Sequence, residues 1–96
     1  MTLKVSYSEI FLLIDGEWIS AKDRTSSAVI NPATGEVIGH VPHATRADLE
    51  RAIESTQKGF HVWRNTPAYE RAKVLRKAAA ILRERTERIA QTLTLE

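Results

Sequence analysis

His40, His43 and His61 are the side chains of this sequence whose free pKa lies near neutrality. His40 and His43 flank Pro42 and could present two imidazoles to a metal ion. A zinc site needs a third or fourth ligand, and the neighbouring residues supply none, so the expected reading is a solvent-facing pair. His61 falls on the polar face of a helical pattern and is expected at the surface. Cysteine is absent, which removes disulfide frameworks, thiolate metal sites and thiolate nucleophiles together. No GxGxxG, GxxxxGK[ST] or HExxH pattern occurs, and no nucleophile stands beside a base in the sequence. The residues themselves assign no catalytic, cofactor-binding or metal site.

Arg71 falls on a helical wheel among Leu75, Ala78, Leu82 and Ile89. A guanidinium there needs a carboxylate or carbonyl partner, or must lay its stem along apolar surface with its head in water. Arg85, at the edge of the same arc, is read the same way. Trp18, Phe60, Trp63 and Tyr69 are not interleaved with a basic groove, as single-strand nucleic-acid platforms are, and are assigned to the core. The 14 Lys and Arg are dispersed among 12 Asp and Glu. Arg83, Glu84, Arg85, Glu87 and Arg88 alternate in sign, as a solvated, salt-bridged face does. No nucleic-acid or membrane partner is expected: basic charge is unclustered, and no apolar stretch reaches the ~20 residues that cross a bilayer. The N-terminus lacks an extended h-region and a small-residue cleavage site, so the expected location is the cytoplasm.

The elements that would position these residues are read from turns and periodicity. Residues 1–9 form a leader and 10–42 two β-hairpins. In the first hairpin Phe11 to Ile14 and Glu17 to Ile19 flank Asp15-Gly16, the two-residue signal for a type I′ turn. Ser20 to Ser27 has the composition of an exposed loop. Val29-Ile30 and Glu36 to Val41 then flank Asn31-Pro32-Ala33-Thr34-Gly35, with Gly35 in the left-handed position and Pro42 ending the strand.

After Thr45, with Asp48 three residues on as a capping box, the period changes to about 3.6 and predicts a helix over 45–65. Gly59 inside it marks either a close neighbour or a merely tolerated glycine. Thr66-Pro67 predicts a cap and first helical residue for one long helix over 66–96. That rod would be roughly 45 Å long at ~1.5 Å per residue, against a diameter of roughly 30–35 Å for a compact chain of this length. Its apolar residues, among them Ala72, Leu75, Leu82, Ile89 and Leu93, cover about half the circumference, so it wants two neighbours. The first helix and the hairpins are expected to cover one side. The other surface must come from a longer polypeptide, which the missing C-terminal cap favours, or from a second copy of a small self-associating helical interaction protein.

The order of these pieces is more specific than the pieces. "LIDGEWI", then "INPATGEVIGHVP", an amphipathic helix ending in "VW", and "ERAKVLRKAAAILRERTERIAQTLTLE" together resemble the N-terminal region of the NAD(P)-dependent aldehyde dehydrogenases. The resemblance rests on Asp15-Gly16-Glu17-Trp18, Asn31 to Glu36, Trp63, Glu70-Arg71 and Leu75. Its wording is most similar to bacterial succinate-semialdehyde dehydrogenases and relatives acting on other ω-carboxylic semialdehydes. It implies an α/β parent close to five times as long, with a Rossmann-like cofactor domain, assembled as dimers or tetramers and using NAD or NADP. It also implies attack by a cysteine thiolate on the aldehyde, hydride transfer to the nicotinamide, and hydrolysis of the thioester by a glutamate-activated water. None of those residues has a counterpart here. The expected role is therefore structural: part of a cofactor-binding domain, inactive alone and binding no cofactor, whose partner is the remainder of the polypeptide.

Overall fold

Asp15 and Gly16 adopt positive φ, 52° and 74°, the pair of left-handed residues that a type I′ turn requires. They join β1 (Leu12–Ile14) to β2 (Glu17–Ile19), antiparallel, with Leu13 opposite Trp18. The computed structural model describes residues 6–96, so the first five positions of the expected leader lie outside the described residues. The second hairpin pairs β3 (Ser26–Ile30) with β4 (Val37–Pro42) and carries a register shift between Val29 and Ile30. Its loop closes on Asn31: the side chain accepts from the Ala33 N–H at 2.9 Å, and the carbonyl accepts from Gly35, φ 75°, at 2.8 Å. The two hairpins are separate two-stranded sheets. β3 begins earlier than expected, with Ser26 and Ser27 opposite Pro42 and Val41. Their polarity reported exposure, not loop conformation.

Thr45 opens α1 (Arg46–Arg64) with both halves of a capping box: the Thr45 N–H donates to Asp48 Oδ2 at 2.8 Å, and the Asp48 N–H to Thr45 Oγ1 at 3.1 Å. A Cβ built on Gly59 meets nothing within 4 Å, so among the described residues no neighbour approaches it. The next cap differs from expectation. Pro67, not Thr66, is the N-cap of α2 (Ala68–Glu84), in an extended conformation with φ −55° and ψ 146°. The Thr66 hydroxyl instead donates back to the Val62 carbonyl at 2.7 Å, closing α1.

The single long helix is also corrected. α2 ends at Arg85, φ −99° and ψ 11°, and α3 (Thr86–Leu95) continues from it. Backbone bonds from Arg85 to Ile81 (3.1 Å) and from Ile89 to Arg85 (2.9 Å) carry the chain across the break, so it is an elbow and not a loop. Thr86 sits at the break. Its hydroxyl donates to the carbonyls of Arg83 (2.8 Å) and Leu82 (3.3 Å), back-bonding of the kind that bends helices.

The packed pairs of elements are β1 with β2, β3 with β4, α1 with β1, and α2 with α3. Among the described residues the first helix and the second are not a closely packed pair, contrary to expectation. Ile14 is the buried large hydrophobic among the described residues, 7% exposed, whereas Trp18, Phe60, Trp63 and Tyr69, expected in the core, are all exposed. The chain measures 51 × 34 × 16 Å with a radius of gyration of 17.3 Å, against roughly 12–13 Å for a compact chain of this length. Its accessible surface is 8197 Å², and a folded monomer of this mass exposes roughly 5,500 Å². The difference exceeds what one side of a standard protein interface buries, roughly 800 Å².

Candidate functional site

The densest polar cluster lies where the loop after β2, the exit of β4 and the start of α1 meet. Arg24 Nη1 donates to Asp48 Oδ2 at 2.8 Å and to the His43 carbonyl at 3.1 Å, and the His43 N–H donates to the Thr25 carbonyl at 2.8 Å. The side chains of Arg24 and Asp48 are only 20% and 15% exposed. The Asp48 carboxyl is held down at about 2 by the Thr45 backbone N–H first and the Arg24 guanidinium second. A carboxylate so committed is a poor proton acceptor. It is a staple.

Beside it, His43 Nε2 lies 2.6 Å from Ser27 Oγ, the spacing of a base and a hydroxyl nucleophile. Both residues are exposed, and Asp48, the carboxylate of this corner, serves Arg24 and Thr45 rather than the imidazole. Without an orienting third group the pair is a surface hydrogen bond. His40 pairs with Ala28 on β4 and His61 lies on α1, each exposed, as expected. Among the described residues no group of three His, Asp or Glu could hold a metal.

A second cluster docks the first hairpin on α1. Arg51 reaches Glu17 at 3.0 Å and Asp15 at 3.9 Å, and Ser55 Oγ donates to Asp15 Oδ1 at 3.0 Å. Of the two readings of Arg71 the structure shows a carbonyl partner: Nε donates to Thr66 O at 3.1 Å, in the loop before its own helix. The stretch from Arg83 to Arg88 is exposed as expected. Among the described residues, though, it forms no ion pair. Instead Arg88 donates to Ser8 Oγ at 3.2 Å, and Gln91 donates to Glu87 at 3.2 Å. Arg85 sits at the elbow and borders a groove of about 420 Å³ with Ile81, Leu82, Ile89 and Leu93.

The glycines of the chain stand in turns, a strand and a helix. Of its four glycines, Gly16 and Gly35 close hairpins, Gly39 lies against the Tyr7 ring, and Gly59 is inside α1. None forms the strand-to-helix turn on which a pyrophosphate rests. The Arg24–Asp48 pair and the contacts of Tyr7 and Ser8 were missed by sequence reasoning. Their partners are 24, 89 and 80 positions away, beyond any local pattern. The capping role of Asp48 was the one available hint.

A family model described as "Aldehyde dehydrogenase family" matches residues 18–96. Malonate-semialdehyde dehydrogenase 1 of Geobacillus thermodenitrificans is 42% identical over 83 residues, 86% of this chain and 17% of that protein. 4-(Hydroxymethyl)benzenesulfonate dehydrogenase TsaD1 of Comamonas testosteroni is 47% identical over 85 residues, 88% of this chain and 18% of that protein. Malonate-semialdehyde dehydrogenase of Bacillus pumilus is 40% identical over 83 residues, again 86% and 17%. The chain thus spans about a sixth of the length of these curated relatives. The matched residues run from Trp18 in β2 through the second hairpin and the three helices, and the chain belongs to the aldehyde dehydrogenase family.

Proposed function

We propose that the chain is the N-terminal scaffold of a cytoplasmic, homo-oligomeric aldehyde dehydrogenase that oxidises an ω-carboxylic semialdehyde to the dicarboxylic acid. NAD or NADP takes up the hydride in that reaction, and water supplies the added oxygen. The semialdehyde class is supported by two of the named relatives, which are malonate-semialdehyde dehydrogenases. Succinate semialdehyde, one carbon longer, is the other substrate the sequence resemblance favours. The chain's own residues contribute no step. With no cysteine and no glycine turn for a pyrophosphate, they serve to hold a surface.

The observation that carries this reading is the uncovered apolar perimeter of α2 and α3, where Leu82 and Leu93 stand 60% and 69% exposed. Exposed patches on that scale mark contact surfaces. The test compares the 96-residue polypeptide with the longer one that continues from it, assayed for NADH and NADPH formation with malonate and succinate semialdehydes. Turnover by the longer polypeptide and background from the short one is expected. Activity in the short chain, or neither semialdehyde oxidised by the long one, overturns the proposal.

The same exposed perimeter favours one alternative, a self-associating chain without catalytic activity. Sedimentation of the 96-residue polypeptide separates the two, since a discrete, well-folded oligomer supports the alternative.

A further inference from the structure

The segment before β1 is not a loose end. The Tyr7 hydroxyl donates to Glu96 Oε1 and Ser8 Oγ accepts from Arg88, so two consecutive side chains hold α3 at two points eight residues apart. The Tyr7 ring meanwhile lies on β4: a Cβ built on Gly39 would stand 2.8 Å from its Cε1 and 3.2 Å from its Cδ1. Gly39 has no positive φ, so its use here is close approach and not backbone freedom. Hairpin β3–β4 and helix α3 are not among the closely packed pairs of elements.

These contacts converge on the helix beyond the elbow. α3 hangs from the elbow at Arg85 and Thr86, and Ser8 borders the groove that the elbow forms with Leu82, Ile89 and Leu93. We infer that residues Ser6 to Ile10 are a strap that sets the angle of α3 against hairpin β3–β4, with Tyr7 as its buckle and Gly39 as the gap it passes through. The backbone bonds across the elbow tie α3 to α2 alone. The strap ties it to the hairpin as well and so shapes the groove. Tyr7 and Gly39 are positioning residues, acting through α3 and touching no substrate.

The test is hydrogen exchange on the intact protein, read separately for α3, for α2 and for β4. Tyr7→Phe keeps the ring and loses only the hydroxyl bond. It is expected to speed exchange in Thr86–Leu95 by about fivefold, the size of one exposed hydrogen bond, with Ala68–Glu84 unchanged. Gly39→Ala, which displaces the ring, is expected to do the same or more. In a Tyr7→Ala background, Gly39→Ala should add nothing, because the ring it collides with is gone. Gly59→Ala, built into open space, is the silent control. Unchanged exchange in α3 on Tyr7→Phe, or additive effects of Tyr7→Ala and Gly39→Ala, overturns the strap. Loss centred on β4 and independent of Tyr7 would make Gly39 an ordinary strand residue and overturn it as well.

Discussion

The corner around Asp48 and the rod formed by α2 and α3 are built on opposite principles. At the corner, Arg24, His43, Thr45 and Asp48 satisfy one another over short distances, and the carboxylate is mostly covered. Along the rod the backbone is satisfied by its own helix, yet Val74, Leu75, Leu82 and Leu93 remain exposed. Polar groups must be paired within the chain because an unpaired one is costly as soon as it is covered. Apolar groups can wait for a surface from elsewhere, since the hydrophobic effect asks only for area and not for a particular partner.

That contrast can be broken at several points. The largest effect is expected for Leu82→Ala followed by urea in two contexts. If a longer polypeptide covers the rod, as proposed, the loss there should be about 3 kcal/mol, and in the 96-residue chain under ~0.5 kcal/mol. Equal losses would mean that the rod is never covered. Next comes Ile14→Ala, which empties the buried position between the first hairpin and α1 and should cost about 2 kcal/mol in the same assay. Gly35→Ala should cost about 1 kcal/mol by thermal melt, from the positive φ alone, because the space around it is open.

A smaller, pH-dependent effect belongs to the corner. The Asp48 carboxyl ionises at about 2 in the folded chain against an ordinary 3.8. Its contribution is therefore present above about 4 and is lost as the pH falls towards 2, the unfolded chain taking up the proton first. Asp48→Asn should flatten that acid limb of a melting-temperature profile, and an unchanged limb would detach Asp48 from the staple. Smallest of all, Arg46→Ala breaks an ion pair with Glu50 whose side chains are 92% and 68% exposed, and should shift stability by less than ~0.5 kcal/mol.

Much of the local structure was legible because its causes are local. Asp15-Gly16 can only turn tightly, Thr45 and Asp48 cap each other across three residues, and α1 runs over Arg46–Arg64 as its periodicity predicts. The errors have equally local physical reasons. Thr66 had two uses for its hydroxyl, and the end of α1 took it. Thr86 looked like an ordinary helical residue, and its hydroxyl back-bonds at the break in the rod. The aromatic residues were assigned to a core because they are aromatic, but among the described residues no wall buries them.

By itself the sequence determined the hairpin turns, the helix cap, the amphipathic faces and, through the order of its motifs, the family. These follow from φ preferences, from hydrogen bonds between residues a few positions apart, and from periodicity. Only the tertiary structure decided that Arg24 closes on Asp48, that Tyr7 crosses Gly39 to reach Glu96, and that α1 packs on β1. Each of these depends on where distant segments come to rest, and that position is set by packing over the whole chain.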